Sequence, residues 1–384
     1  MSESRDSAPG GGVGQASAEP ERKPVSAEPS AGPDEPGGSG DARTRLSRRG
    51  WTLVLSLVLV LVFGLLGAFV RVPYVALGPG PTYDTLGKVD GTQVVAIDGE
   101  RTYPTSGELR MTTVSLNDNV TLFGALGLWA SGRYALAPRE EYFAPGETDE
   151  EVRRENVQQF RNSQSNAEVA ALRRLGYPVQ VVVQEVVSDS PADSVLAPGD
   201  RILRIDGEKI TNEDDVREAL ANTRPGQQVT LTFQHEGQTR TERITLAEHP
   251  DGDQGFVGFQ PVDRADVPFE VGISLEDVGG PSAGLMFALA IVDRLTPGAL
   301  AGGEHVAGTG EIDDEGSVGA IGGISFKLVA AREAGATAFL VPERNCAEAV
   351  SAAPEGLELV KVSDLDDAVT ALENLSAGRP VSTC

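Results

Sequence analysis

Residues 279–284 read GGPSAG and residues 306–345 read VAGTGEIDDEGSVGAIGGISFKLVAAREAGATAFLVPERN; the reading of the whole chain turns on these two stretches. Ahead of the first, Phe269, Val271, Ile273 and Leu275 alternate with polar or small residues, which predicts a half-buried strand running straight into the glycines. After it, Leu285, Met286, Leu289, Val292 and Leu295 form the apolar face of a helix that Pro297-Gly298 stops. Pro281 suits the first helical position, where its missing N–H costs nothing, so Ser282 is expected in the first turn. There a hydroxyl lies beside unpaired backbone N–H groups and the positive end of the helix dipole, which stabilise an alkoxide and can form an oxyanion hole. Taken alone, a serine at such a place reads equally well as a helix cap or part of an anion site.

A serine nucleophile needs a base, and the chain holds three histidines, His235, His249 and His305. The first two fall in a segment of different pattern, and His305 sits in an apparent strand with no carboxylate partner that the sequence assigns to it. Lysine is the other choice. In Gly322-Gly323-Ile324-Ser325-Phe326-Lys327-Leu328-Val329, Lys327 stands among apolar residues at the start of a helix. Burial and the positive helix end both disfavour the ammonium, so both lower its pKa from an ordinary value of about 10.4 towards that of a base working near neutrality.

Together the two stretches resemble the proteolytic domain of Lon proteases in order and spacing, over about residues 265 to 375. The resemblance implies that Ser282 is the nucleophile, Lys327 the general base, and Thr309 a hydroxyl that orients the lysine. It implies polypeptide substrates, no cofactor, and assembly as a homo-oligomeric ring, a hexamer in that family. In one departure, Gly279 stands where bacterial Lon carries an acidic residue. Lon proteases are driven by an ATPase, yet these 384 residues contain no G-x-x-x-x-G-K-[ST]. ATP-independent cleavage of exposed or already unfolded polypeptides is therefore expected.

Upstream, VQVVVQEV at 179–186 and SPADSVLAPGDRILRIDGEKI at 190–210 predict strand, turn and strand. The latter resembles the core of PDZ domains attached to bacterial envelope proteases. A helix over Asn212–Leu220 and strands over Gln228–Phe233 and Arg243–Leu246 complete it. PDZ domains take extended peptide ends by strand addition. The familiar Gly-Leu-Gly-Phe loop is absent and Leu175-Gly176-Tyr177-Pro178 is at best a degenerate substitute, so peptide capture and a purely structural role both stand. Thr148 with Glu151 makes a capping box, and Val152, Phe160, Val169, Leu172 and Leu175 predict a long helix, broken or not near Asn162. Between residues 72 and 147, short apolar runs (93–97, 109–114) and turn clusters predict strands rather than helices.

Trp51 to Val70 is free of charge and long enough to cross a bilayer, while the first 42 residues, rich in Gly, Pro, Ser, Ala and Glu, predict a disordered tail. Arg43, Arg45, Arg48 and Arg49 precede the span and Arg71 alone follows it, so a cytoplasmic N-terminus and an extracytoplasmic catalytic domain are expected at the cell membrane. A cleaved signal peptide is the competing reading. Cys346 and Cys384 would then lie where oxidation is permitted, either as a disulfide or as two separate thiols. The formal net charge of −25 leaves no basic surface for nucleic acid.

The expected fold is α+β and multidomain: a tail (1–50), a transmembrane helix (51–71), membrane-proximal strands and helix (72–176), a PDZ-like β-sandwich or barrel with helices (177–262) and a Lon-type α+β proteolytic domain (265–384). A membrane-anchored serine endopeptidase with a Ser282-Lys327 dyad is the favoured function. A non-catalytic envelope adaptor that binds peptides is its rival.

Overall fold

Ala338-Phe339-Leu340-Val341-Pro342 is buried at every position, as a strand can be only when its sheet is covered on both faces. That strand is one from the edge of its sheet in a computed structural model describing residues 47–143, 146, 148–249, 252–275 and 278–384. The expected N-terminal tail lies almost wholly outside the described residues. The chain opens with α1 (Arg48–Phe69), β1 (Tyr74–Asp84), β2 (Val95–Asp98), β3 (Glu108–Asn117), α2 (Leu122–Ala130), β4 (Ala135–Pro138) and α3 (Asp149–Arg174). It continues through β5 (Val179–Val186), β6 (Arg201–Ile205), α4 (Glu213–Ala221), β7 (Gln228–His235), β8 (Gln238–Thr245), β9 (Phe259–Ala265) and β10 (Glu270–Ile273). Last come α5 (Gly284–Leu295), β11 (His305–Gly308), α6 (Ile324–Glu333), β12 (Ala338–Pro342), α7 (Cys346–Ala352), β13 (Glu358–Val362) and α8 (Leu365–Ser376).

Two sheets organise these elements. One has the order β13-β12-β11-β3-β1-β4; the other runs β8-β7-β6-β5-β9, with the short strand Glu208–Lys209 added to β6. The first corrects an expectation. Residues 72–176, read as a membrane-proximal part of their own, supply half the strands of the sheet that carries the Lon-like segment. The join is the parallel pairing of His305–Gly308 with Glu108–Met111. One core follows from it, in which Leu109 and Met111 pack with Phe160, Leu172, the whole of Leu285–Val292, Leu340 and Leu372. The second sheet wraps a separate core of Val181, Ile202, Ile205, Leu231, Phe233 and Val257. Its closing strand β9 extends past the expected boundary at residue 262 and pairs antiparallel with β5.

The long helix is unbroken: α3 has 26 residues, with Thr148 and Glu151 in a reciprocal capping box. It packs across α5, where the rings of Phe160 and Phe287 meet edge to face at 5.8 Å. Against expectation, a helix (α2) lies among the strands of 72–147. Its sequence LFGALGLWA is one unbroken small-and-apolar run, which periodicity cannot assign to helix or strand. Arg48–Phe69 is long and apolar enough to cross a membrane. It begins a turn earlier than Trp51 because Arg48 and Arg49 join the helix. Cys346 and Cys384 form a disulfide, closing a 38-residue separation.

Candidate active site

Ser282 stands in a turn, two residues before the first helical residue of α5, and not inside the helix as Pro281 suggested. Gly280, at φ +82°, sends the chain into the turn, and its N–H is held by the Asn156 carbonyl at 3.0 Å. On one side α3 fixes the backbone, because Ser163 Oγ donates to the Pro281 carbonyl at 2.9 Å. On the other, Gly310 N–H and Thr309 Oγ1 both donate to the Ser282 carbonyl at 2.9 Å. Gly284 is obligatory at the helix start, since a Cβ there would lie 2.7 Å from Ile312 Cγ2 and 2.8 Å from Ser163 Oγ. The nucleophile candidate is thus clamped between α3 and the turn that follows β11.

Lys327 is the fourth residue of α6 and only 2% exposed. Its helix begins at Gly323, whose φ of +68° is left-handed and whose missing Cβ leaves room for Val114, 2.9 Å away from where that atom would be. The Lys327 amine contacts Ser282 Oγ at 2.8 Å, the Thr112 carbonyl at 2.9 Å and Thr309 Oγ1 at 3.1 Å. Burial lowers its pKa to about 7. Two of the three contacts are acceptors that have no proton to offer: Thr112 presents a carbonyl, and the Thr309 hydroxyl spends its proton on the Ser282 carbonyl. A neutral amine therefore aims its two N–H bonds at these groups and leaves its lone pair for Ser282 Oγ.

All three candidates come together, and Thr112 on β3 is a fourth participant that sequence reasoning missed. The histidines are engaged elsewhere: His235 with Asp200 at 2.7 Å, His305 with Glu108 at 3.3 Å, and His249 edge-on against Phe256. The missing carboxylate of His305 is thus supplied by the neighbouring strand. Among the described residues, no group of three or more His, Cys, Asp or Glu side chains could hold a metal ion. A cleft of about 580 Å³ opens onto Ser282 and Lys327, with Pro81, Tyr83, Met111, Val114 and Val278 in its walls.

In the second sheet, β9 is an edge strand among the described residues, paired to β5 on one side. Gly255-Phe256-Val257-Gly258 leads into it, and Gly258 (φ +93°) approaches Ser190 so closely that a Cβ would clash at 2.1 Å. This glycine-apolar run, and not a Gly-Leu-Gly-Phe sequence, precedes the edge strand. The degenerate substitute, Leu175–Pro178, instead caps and follows α3, and its Tyr177 packs on Phe269 at 5.4 Å. A second cleft of about 580 Å³ runs between β9 and α3, lined by Arg161, Asn162, Glu168, Glu213, Gln260 and Arg264 among others.

Residues 271–374 match the family model of the Lon protease (S16) C-terminal proteolytic domain, and residues 155–246 match that of the PDZ domain. The chain is multidomain α+β, with a PDZ-like domain and a Lon-type protease domain. The Lon protease of Clostridioides difficile is 40% identical over 92 residues, which are 23% of this chain and 11% of that protein. The Lon protease of Methylocella silvestris is 38% identical over 121 residues, 31% of this chain and 15% of that protein. The chain thus spans 11% to 15% of the length of these two relatives. The crystal structure of the PDZ domain of an SdrC-like protein from Listeria monocytogenes is 28% identical, covering 21% of this chain and 86% of that one, with a TM-score of 0.20. The PDZ match begins inside α3, upstream of the expected residue 177, and the Lon-type match takes in Ser282, Thr309 and Lys327.

Proposed function

We propose that the protein is a membrane-anchored serine endopeptidase that cleaves exposed or unfolded polypeptides outside the cytoplasm, without ATP. The observation that carries this reading is the contact of the buried Lys327 amine with Ser282 Oγ at 2.8 Å. Neutral Lys327 removes the hydroxyl proton while Ser282 Oγ attacks the peptide carbonyl. The resulting oxyanion is held by backbone N–H groups of the turn leading into α5. Collapse expels the amine of the downstream fragment, which takes the proton back from Lys327 and leaves an ester on Ser282. A water molecule, deprotonated in turn by Lys327, hydrolyses the ester and regenerates both groups. Thr309 and Thr112 keep the amine aimed.

Residues 72–176 and 265–384 act as one catalytic unit in this reading, and the PDZ-like domain inserted between them delivers substrate along the open edge of β9. Anchoring rests on α1 and the arginines before it, absence of ATP drive on the lack of a phosphate-binding loop motif in these residues, and assembly into a ring on the likeness to Lon. Retention of the Ser282, Lys327 and Thr309 cluster with its lone pair directed at Ser282 favours catalysis over a peptide-binding adaptor. The test is cleavage of a fluorescently labelled unfolded polypeptide by the purified full chain without nucleotide. Cleavage should occur and should be lost in Ser282→Ala; an intact substrate with the unsubstituted chain, or undiminished cleavage by Ser282→Ala, overturns the reading.

A further inference from the structure

The helix α2, LFGALGLWA, has no charged residue and buries only Ala125, while Leu122, Phe123, Leu126 and Trp129 are 45%, 51%, 48% and 63% exposed. A soluble surface does not leave such a run in water without use for it. Its position supplies the reason. The Phe123 ring lies over Gly67 near the end of α1, so close that a Cβ on Gly67 would stand 2.6 Å from it. Just after α1, Arg71 forms a bridge with Thr121 and donates to Asn119 Oδ1 at 3.2 Å, and Val72 N–H donates to the Val120 carbonyl at 3.0 Å. The start of α2 is thereby fixed beside the point where α1 ends. Phe69, Val70 and Tyr74 are also exposed there, which extends the apolar surface from one helix to the other.

We propose that α2 lies in the interfacial layer of the bilayer that α1 crosses, with Leu122, Phe123, Leu126 and Trp129 inserted among the acyl chains. The occupant of this face is a phospholipid surface, continuous with the apolar face of α1, and the proposal rests on the reading of α1 as a span. Apolar burial and an aromatic residue at headgroup level drive the docking. The helix itself has no cation, so docking is indifferent to the charge of the lipid. Beyond the far end of α2, Arg133 pairs at the surface with Glu333, the last residue of α6, the helix that carries Lys327.

The chain has two tryptophans, which makes depth-resolved quenching a clean test. The full chain is reconstituted in phosphatidylcholine vesicles containing lipids brominated at shallow or deep acyl positions, as Trp51→Phe to report Trp129 and as Trp129→Phe to report Trp51. Trp129 should be quenched more strongly by the shallow label, equally with and without phosphatidylglycerol, and at least threefold less when Leu122 and Leu126 are both changed to Asn. Quenching of Trp51 without quenching of Trp129 overturns the proposal and leaves the span intact. Absence of Trp51 quenching removes the span and the proposal together. Protection of Trp129 from both labels, with cross-linking between copies through α2, would assign the face to a second copy and overturn the proposal as well.

Discussion

At the scale of single residues, the proposed activity turns on the buried lysine. Cleavage should rise with pH through about 7, where Lys327 loses its proton, because only the neutral amine accepts one from Ser282. A rate flat from pH 6 to 9 would contradict this. The same depressed pKa has a cost in stability. The unfolded chain binds a proton up to the ordinary value of 10.5, while the folded chain releases it near 7, so stability falls as pH drops through that window. Lys327→Met should abolish cleavage yet raise unfolding free energy below pH 7 by a few kcal/mol, at about 1.36 kcal/mol per pKa unit, and by nothing above about pH 10.5. Denaturant titration at several pH values checks it. Ser282, Lys327 and Thr309 were legible because each sits in a contiguous, glycine-marked motif. Thr112 was not, since it contributes a backbone carbonyl, which any side chain could have carried.

At the scale of elements, the site depends on how three helices begin. Thr148 and Glu151 start α3 and were readable as a pair three residues apart, as was the apolar spacing behind them. Gly323 starts α6 with a left-handed residue, a conformation that costs an alanine roughly 1–2 kcal/mol. Gly323→Ala should therefore lower stability by about that amount, with a larger loss of turnover because the new Cβ presses on Val114 and moves Lys327. Unchanged kcat in a destabilised variant would mean that α6 tolerates displacement. The start of α5 lies three residues after the expected Pro281, which fits a first helical position and a preceding turn equally well. The helix α2 was lost for a related reason: nine apolar residues carry no period to read.

At the scale of the whole molecule, α3 reaches the PDZ-like sheet at β9, and an ionic cluster around the buried Asp263 marks the place. Arg173 of α3 donates to Asp263 of β9 at 2.6 Å and to Asp314 at 3.1 Å. Burial first, then the neighbouring Asp314, raises the Asp263 carboxyl to about 7 against the opposing pull of Arg173. A raised carboxyl stabilises the fold below its ordinary pKa of 3.8, and this contribution is lost as pH rises to about 7. Thermal unfolding should therefore show stability declining between pH 4 and 7, with a shallower decline in Asp263→Asn; identical slopes would exclude Asp263 as the source. The division into a PDZ-like and a Lon-like part was legible from turn motifs. The shared sheet was not, because His305 and Glu108 meet across an inserted domain, and strand patterns say nothing of distant partners.

The central claim, that Lys327 activates Ser282 for acyl transfer, is tested most directly by intact-mass spectrometry after mixing the full chain with an activated peptide ester. The expected result is one acyl group per chain, mapped to Ser282, with a formation rate half-maximal near pH 7 and abolished in Lys327→Ala. Acylation of Ser282 at the same rate in Lys327→Ala, or an adduct on another residue, would contradict it.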